Sequence, residues 1–457
     1  MDTQVGIIGA GITGLTTAYL LKKRGISVTI YEAADEPGGA MKTHQKDGWL
    51  AESGPNTIMA RSQKLLDLMD ELGLSSELVF ANDQASKRFV VRDGKPMSMP
   101  TSLYDFITTD LFSVQAKIRL LKEPFVDKWE DHYEEDLAHF VERRLGVEFL
   151  DYAINPFVAG VYAGDPEHLS VKHAFEKLYQ LEQDYGSLIW GRIRGAKERK
   201  KREDVPKTES KLFSFKNGNQ QLPLTLSEKL NDELLLNHQI DGITQQKNSW
   251  NIEGISPEGR FNHSHNMVIY TAPIHAIKNI DFSAETEINH TLFDQVTYPP
   301  ISVISLGFNA VHIAHELDGF GMLVPQKEEF NILGTLFNST LFPNRAPEGQ
   351  VLLTTFVGGM RNPDLAGLPK DELRELVIAD LDELLGVIGG PVFEYHKYWP
   401  KSIPQYDVGY GNVLEKFREI EKQCDGFIFA GNYRYGISVS DCLESGFSVS
   451  ERVAELV

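Results

Sequence analysis

Gly9-Ala10-Gly11-Ile12-Thr13-Gly14 follows an apolar run, Val5 to Ile8, and opens an amphipathic segment that reaches about Arg24, after which a second apolar run spans Val28 to Tyr31. Strand, glycine turn, helix and second strand in this order read as a βαβ unit. Gly9 permits the tight turn, Gly11 lets backbone approach a pyrophosphate, and Gly14 lets helix and strand pack closely. A diphosphate then sits at the positive end of the helix dipole. Glu32 ends the second strand, eighteen residues after Gly14, where a carboxylate accepts hydrogen bonds from a ribose 2′-OH. Its negative charge argues against a 2′-phosphate, and so against NADP. The combination predicts dinucleotide binding.

With 457 residues the chain makes about three domain-sized units or fewer large ones. Forty-five Lys and Arg against 65 Asp and Glu leave a net charge of -20, which opposes nucleic-acid binding. Hydrophobic residues at 42% and charged residues at 24% describe an ordinary globular protein. Two cysteines, Cys424 and Cys442, cannot staple this chain and lack the neighbours of a zinc site, so a reducing compartment and no metal are expected. Thr3 to Leu21 is uncharged but glycine-rich and lacks a basic flank, which argues against a membrane span or signal segment. The chain reaches its first strand almost at once, so no transit peptide is expected, and the location predicted is cytoplasmic, extending to the cytoplasmic face of a membrane.

Helical patterning dominates from about Asn82 to Tyr185, for example Leu137 to Leu150. Arg192, Arg194, Lys197, Arg199, Lys200, Lys201 and Arg202 stand against Glu198 alone, a basic run expected first as an exposed, mobile, solvated loop, with attraction of anionic lipid or substrate carboxylates as the alternative. Strand signals return at Phe213 to Phe215, Gln239 to Ile243, Trp250 to Ile252, Met267 to Tyr270 and across Val303 to Val357. Lys370 to Leu385 reads as an amphipathic helix, and the chain ends as strand Phe427 to Ala430, turn Gly431 to Gly436 and a helix to Leu456. The close pairs His263 with His265 and His312 with His315 have no cysteine or third histidine nearby and read as surface residues.

The segments after the first unit separate FAD from NAD. Pro37-Gly38-Gly39, then Gly48 and Glu52-Ser53-Gly54-Pro55-Asn56, resemble the extended glycine signature of FAD oxidoreductases of the amine-oxidase and porphyrinogen-oxidase type. In such enzymes a C-terminal turn like Gly431 to Gly446 lies beside the flavin ring, where a helix N-terminus can stabilise negative charge on reduction.

Asn155-Pro-Phe-Val-Ala-Gly160-Val-Tyr-Ala-Gly164-Asp165, Gly319-Phe-Gly321-Met-Leu323-Val-Pro325, Leu333-Gly-Thr-Leu336-Phe337 and Thr354-Thr-Phe356-Val-Gly-Gly are more specific. They resemble the protoporphyrinogen IX oxidase family, most of all its plant mitochondrial members, within the flavin amine oxidase superfamily, and the likeness runs from Val5 to the last helix. The resemblance implies an α/β (α+β) fold: a Rossmann-like FAD-binding domain (1–81, 206–285 and 396–457), a helical, membrane-facing insertion (82–205) and a mixed-sheet substrate-binding domain (286–395). It implies an oxidoreductase acting on CH–CH groups of a porphyrinogen, with O2 as acceptor and hydrogen peroxide released, in a six-electron oxidation that belongs to haem synthesis. A homodimer and handover of product to the next enzyme of that pathway are further expectations.

Hydride loss from a carbon between pyrroles needs no strong base, because a pyrrole nitrogen lone pair stabilises the cation that forms, so no nucleophile or triad is expected. For the substrate, Arg88 resembles the carboxylate-binding arginine, Asn56 stands beside the propionate, the Gly160 backbone faces the reacting carbons, and Leu323, Leu336 and Phe356 clamp and stack on the rings. For the cofactor the resemblance points to Gly9, Ala10, Gly11, Ile12, Thr13, Gly14, Glu32, Ala33, Gly39, Ala40, Gly54, Pro55, Asn56, Thr57, Ile240, Thr271, Trp399, Gly431, Asn432, Ile437, Ser438 and Val439. From periodicity alone Leu323, Leu336 and Phe356 read equally as core, and Arg88 as a surface arginine. Gly431-Asn432 replaces the usual Gly-Asp, which puts one flavin contact in question. Three rival readings stand beside this one: a coproporphyrinogen III oxidase, an amine oxidase with Tyr433 and Tyr435 as an aromatic cage, and a flavin-binding scaffold without turnover.

Overall fold

The computed structural model describes residues 4–129, 133–201, 211–247, 249–284 and 290–457, with backbone alone at 196–201 and 290–292. Its first unit is strand Gln4–Ile8, helix Ile12–Lys23 and strand Ser27–Tyr31. Among the described residues these strands belong to a five-stranded sheet, in the order Leu234–Leu235, Ser27–Tyr31, Gln4–Ile8, Met267–Tyr270 and Phe427–Phe429. Every pairing in it is parallel. Parallel strands carry cover on both faces, which explains why Val5 to Ile8 is a continuous buried run rather than an alternating one. Helices Ile12–Lys23, Gln221–Lys229 and Val439–Leu456 cover one face. A four-stranded sheet (Gly259–His265, Ser249–Ser256, Gln239–Gln246, Asp281–Ser283) and helix Tyr410–Gln423 cover the other.

The second large layer is a seven-stranded mixed sheet in the order Phe393–Trp399, Ile301–Asn309, Gln350–Gly358, Ile332–Phe337, Gly321–Leu323, Phe89–Arg92 and Lys95–Ser98. One face packs through Ile304, Leu306, Met322 and Leu353 on Leu373, Val377 and Leu381 of the Lys370–Leu385 helix. Its other face turns toward helix Asn155–Tyr162 and toward the glycine-rich segments of the parallel layer. The stretch from 82, expected to be helical, therefore opens with a strand hairpin, Phe89 to Ser98, that extends this sheet by pairing Val90 with Leu323. The run Phe89-Val90-Val91 before Asp93-Gly94 carried that signal, and the surrounding helical pattern masked it.

Helices fill 103–201 around Phe112, Phe140, Phe149 and Val158. A buried ion cluster pins them together: Arg144 Nε donates to Glu182 at 2.7 Å and Arg144 Nη1 to Glu123 at 3.1 Å, all three side chains being inaccessible to solvent. Glu123 also accepts from the Ser187 hydroxyl and the Leu188 N–H, which anchors the start of helix Leu188–Lys201. The basic run is thus helical as far as Lys201 where a mobile stretch was expected. Arg192 and Arg194 are exposed; the side chains of Lys197, Arg199, Lys200 and Lys201, and all of Arg202, lie outside the described residues. Among the described residues no helix is long and apolar enough to cross a membrane.

Candidate active site

The glycine turn is closed by contacts that no larger residue would permit. A methyl group on Gly14 would overlap the Gly9 carbonyl oxygen, and Gly9 itself takes a positive φ of 103°. Thr271 fastens the turn from the neighbouring strand, its hydroxyl lying 2.9 Å from both the Ile8 and the Gly9 carbonyl oxygens. No side chain caps helix Ile12–Lys23, and a Cβ on Gly11 would meet nothing within 4 Å, so the first-turn N–H groups are left for an anion such as a diphosphate. Thr13 and Ile12 are buried under it, and the Thr13 hydroxyl donates to the Cys442 carbonyl of the C-terminal helix.

Glu32 is fixed by two backbone donors, Ala10 N at 2.7 Å and Ala34 N at 2.9 Å. Each oxygen keeps a lone pair for a further donor, as a ribose diol requires. Ala33 is exposed beside it. Backbone bonds from Asn237 to Ala34 and from His238 to Glu32 bring the strand of Ile240 to the same place, with a bulge between Ile240 and Gly242. Gly38 donates to the Ala10 carbonyl, and a methyl on Gly54 would overlap Ala40 O, so the loops of Gly39 and Ala40 and of Gly54 to Thr57 meet the turn. Trp399 Nε1 donates to Ser53 O at 2.7 Å, and Ala430 donates to the Tyr270 carbonyl, placing Gly431 next to Thr271. The residues expected around a cofactor thus converge from distant parts of the chain.

Two expectations for this region change. The C-terminal helix does not offer a bare N-terminus: Ser438 and Asp441 form a reciprocal capping box, and Asp441 pairs with Arg61. Ile437, Ser438 and Val439 thus stand at a helix end that is already partly satisfied and carries an acid in its first turn. The aromatic cage is also not formed. Tyr433 is fully buried, its hydroxyl donating to Tyr270 O at 2.8 Å, whereas Tyr435 is exposed against Arg434. The Asn432 carbonyl accepts from the Tyr406 hydroxyl.

Cross-strand register decides the status of the three apolar residues. Leu323 pairs with Gly334, which pairs with Phe356, and Leu336 lies two residues along the same strand as Gly334. All three therefore share one face of the sheet. Each is partly exposed although its strand neighbours are buried, so none is a fully enclosed core residue. Gly160, in helix Asn155–Tyr162, stands directly over Leu323, close enough that any Cβ there would collide with the leucine. Arg88 is exposed two residues before Val90, hence on the same face, with its guanidinium 5.3 Å from the Phe320 ring. Asn56 is buried, its Nδ2 donating to Gly54 O and its Oδ1 accepting from Asn338 Nδ2 at 2.8 Å. Its amide is committed to holding the loop, which leaves less of it for a carboxylate than the resemblance implies.

Several positioning residues carried no sequence signal. Arg361 donates to Asn155 Oδ1 and Val324 O, tying the helix over the slot to the strand of Leu323. Asn338 locks Asn56. Glu52 accepts from Thr43 and from Asn219 N, with buried Arg345 nearby. His265 is buried, contrary to the surface reading of the His263 and His265 pair; His265 Nε2 and His263 Nδ1 each lie 2.8 Å from the Tyr31 hydroxyl. A strand edge that turns inward explains this, and burial, with the neighbouring His263, pushes His265 down to about 4.

The model of a family described as flavin containing amine oxidoreductase matches residues 12–454. The chain is 37% identical over 98% of its length, and 93% of the relative's, to protoporphyrinogen oxidase 2, chloroplastic/mitochondrial, of Arabidopsis thaliana. It is 27% identical to coproporphyrinogen III oxidase of Bacillus subtilis, covering 97% of this chain and 96% of the other. Among solved structures, a candidate protoporphyrinogen oxidase from Exiguobacterium sp. superposes with a TM-score of 0.82 over 99% of both chains at 23% identity, a likeness of fold.

Burial pushes the Glu52 carboxyl from its ordinary 4.5 up to about 7, against the opposing effects of Thr43, Asn219 and Arg345. A carboxyl with a raised folded-state pKa holds its proton more tightly when native, so its contribution to stability is full at low pH and is lost as pH rises through about 7. The denaturation midpoint of the wild type, relative to that of Glu52→Gln, is expected to fall between about pH 5 and about pH 8. Parallel pH profiles for the two proteins would contradict this.

Proposed function

The chain belongs to the flavin containing amine oxidoreductase family, and from that membership we propose that it is an FAD-dependent porphyrinogen oxidase taking protoporphyrinogen IX to protoporphyrin IX. The observation that carries the reading is near-full-length identity of 37% to a protoporphyrinogen oxidase, on a chain whose Leu323, Leu336 and Phe356 form one apolar floor. When bound, FAD supplies a hydride acceptor that passes its electrons to O2 and releases hydrogen peroxide. The protein supplies position and exclusion of water.

In this reading the N-terminus of helix Ile12–Lys23 holds the diphosphate and Glu32 the adenosine ribose. Ile240 and Ala33 flank the adenine, and the Gly54 to Thr57 loop, Trp399 and Gly431 to Val439 surround the ring. The flat macrocycle lies on Leu323, Leu336 and Phe356. Gly160, lacking a side chain, makes room for Leu323, its backbone facing the reacting carbons, and Arg88 takes a propionate at the mouth. The parallel-sheet layer forms the cofactor half and the seven-stranded sheet the substrate half.

Coproporphyrinogen III is the second substrate to weigh, because the Bacillus subtilis relative named for it aligns over almost the whole chain. The helical segment also supports contact with a membrane surface: Leu103, Tyr104, Ile107, Ile118, Leu121 and Phe125 all lie more than half exposed within a short stretch. Large apolar residues grouped this way mark an interaction site.

Anaerobic mixing of the flavin-loaded protein with protoporphyrinogen IX is expected to bleach the flavin absorbance faster than mixing with coproporphyrinogen III. The reverse order would exchange the substrates, and no bleaching by either would end the reading. In the same experiment Arg88→Ala is expected to raise the half-saturating concentration roughly tenfold or more, the loss of a charge-assisted contact of about 1.5–3 kcal/mol. An unchanged value would remove Arg88 from the site. Flotation with anionic lipid vesicles is expected for the wild type and not for the double variant Leu121→Asp, Phe125→Asp; equal flotation of both would disprove the membrane contact.

A further inference from the structure

Lys397 lies on strand Phe393–Trp399, where alternation places Tyr395, Lys397 and Trp399 on one face. Both flanking aromatic residues end at the same point. The Tyr395 hydroxyl is 2.6 Å from the Ser53 hydroxyl, and the Trp399 indole donates to the Ser53 carbonyl at 2.7 Å. Ser53 immediately precedes Gly54, so the lysine stem is held between two side chains that converge on the Gly54 to Thr57 loop. Register extends this across the sheet: Lys397 pairs with Val303, and Val303 with Phe356. The ammonium is therefore on the slot side. Its Nζ lies 4.7 Å from the Trp399 ring centroid, a cation–π contact, and the residue is half buried.

Its charge has no counterpart. Lys42, Lys87, Lys278, Lys327 and Lys370 each face a carboxylate, whereas no acidic partner for Lys397 is found among the described residues. A half-buried cation on the slot side without an anion of its own is free to meet one brought into the slot.

We infer that Lys397 is the cation the site presents to the isoalloxazine, where it stabilises the negative charge of the reduced ring. Hydride transfer brings two electrons and one proton to a neutral ring and leaves it with one negative charge, while the donor becomes a cation that sheds a proton to water. Return of both electrons to O2, with the ring proton and one proton from solvent, gives hydrogen peroxide and restores the neutral ring. A fixed positive charge beside that ring raises its reduction potential. The inference rests on the Gly54 to Thr57 loop being the flavin loop, and is independent of which porphyrinogen reacts.

The test uses purified holoprotein and sulfite, whose addition to oxidised flavin leaves the same negative charge on the ring and needs no porphyrinogen. Lys397→Met keeps the stem on Trp399 and removes the charge. It is expected to weaken sulfite binding about tenfold and to lower the two-electron midpoint potential, from dye-linked titration, by about 30 mV, the equivalent of a tenfold change in equilibrium constant. Lys397→Arg is expected to stay within about threefold of wild type. A change of less than about threefold in Lys397→Met overturns the inference. If both Lys397→Met and Lys397→Gln lose FAD while Lys397→Arg retains it, the cation's contact with the cofactor is supported; loss from all three marks a packing residue and overturns it. A wild type that takes up no FAD overturns the cofactor reading and this inference together. A holoprotein that binds sulfite but is not bleached by porphyrinogens removes the substrate alone.

Discussion

Helix Ile12–Lys23 can point its free N–H groups at a diphosphate because nothing stands between Gly14 and the Gly9 carbonyl. One methyl group there would push the helix off the sheet and carry its dipole away from the approach it serves. The same closeness recurs where this helix meets the last one, since a methyl on Gly446 would press on the Thr16 side chain at 2.9 Å. Fold and cofactor geometry share a single steric condition, and Thr271, from a strand more than 250 residues away, maintains it by bonding both carbonyls of the turn.

The slot depends on a second condition, that two layers built separately meet in register. Arg361 links helix Asn155–Tyr162 to the strand of Leu323, Asn338 links the seven-stranded sheet to Asn56, and Tyr395 and Trp399 link it to Ser53. These are polar ties between apolar surfaces. Hydrophobic packing is non-directional and would tolerate sliding; hydrogen bonds of defined length do not. A hydride acceptor and donor must be aligned far more closely than packing alone enforces.

How much of this was legible from the residues depends on where each signal resides. The βαβ unit was readable because glycine spacing, apolar periodicity and Glu32 coincide within one local stretch. Helix Lys370–Leu385 was readable for the same reason. Leu323, Leu336 and Phe356 read equally as core or site by pattern and were marked out by the resemblance alone; the pairing of three strands, with Gly334 between them, is what sets them on one face of the sheet. Lys397, Asn338 and Arg361 gave no sign, since their partners are remote in the chain. The Phe89 to Ser98 hairpin was absorbed into a helical neighbourhood, His265 looked exposed because a strand of polar residues usually is, and Tyr433 looked like a cage residue because its neighbours in sequence face the site while its own ring turns inward.

The order of the parallel sheet has a consequence for how the molecule is made. Met267–Tyr270 and Phe427–Phe429 complete a layer that begins with Gln4–Ile8, and the C-terminal helix packs against the first one. A ribosome delivers Gln4–Ile8 long before its partner Met267–Tyr270, so the nascent chain must keep one apolar edge waiting while more than 250 residues emerge, and the Met267–Tyr270 edge then waits in turn for Phe427–Phe429. Contacts of such sequence separation form slowly. Assembly of the parallel layer therefore finishes only once Phe427–Phe429 has emerged, and until Met267–Tyr270 arrives the Gln4–Ile8 strand presents an open apolar edge.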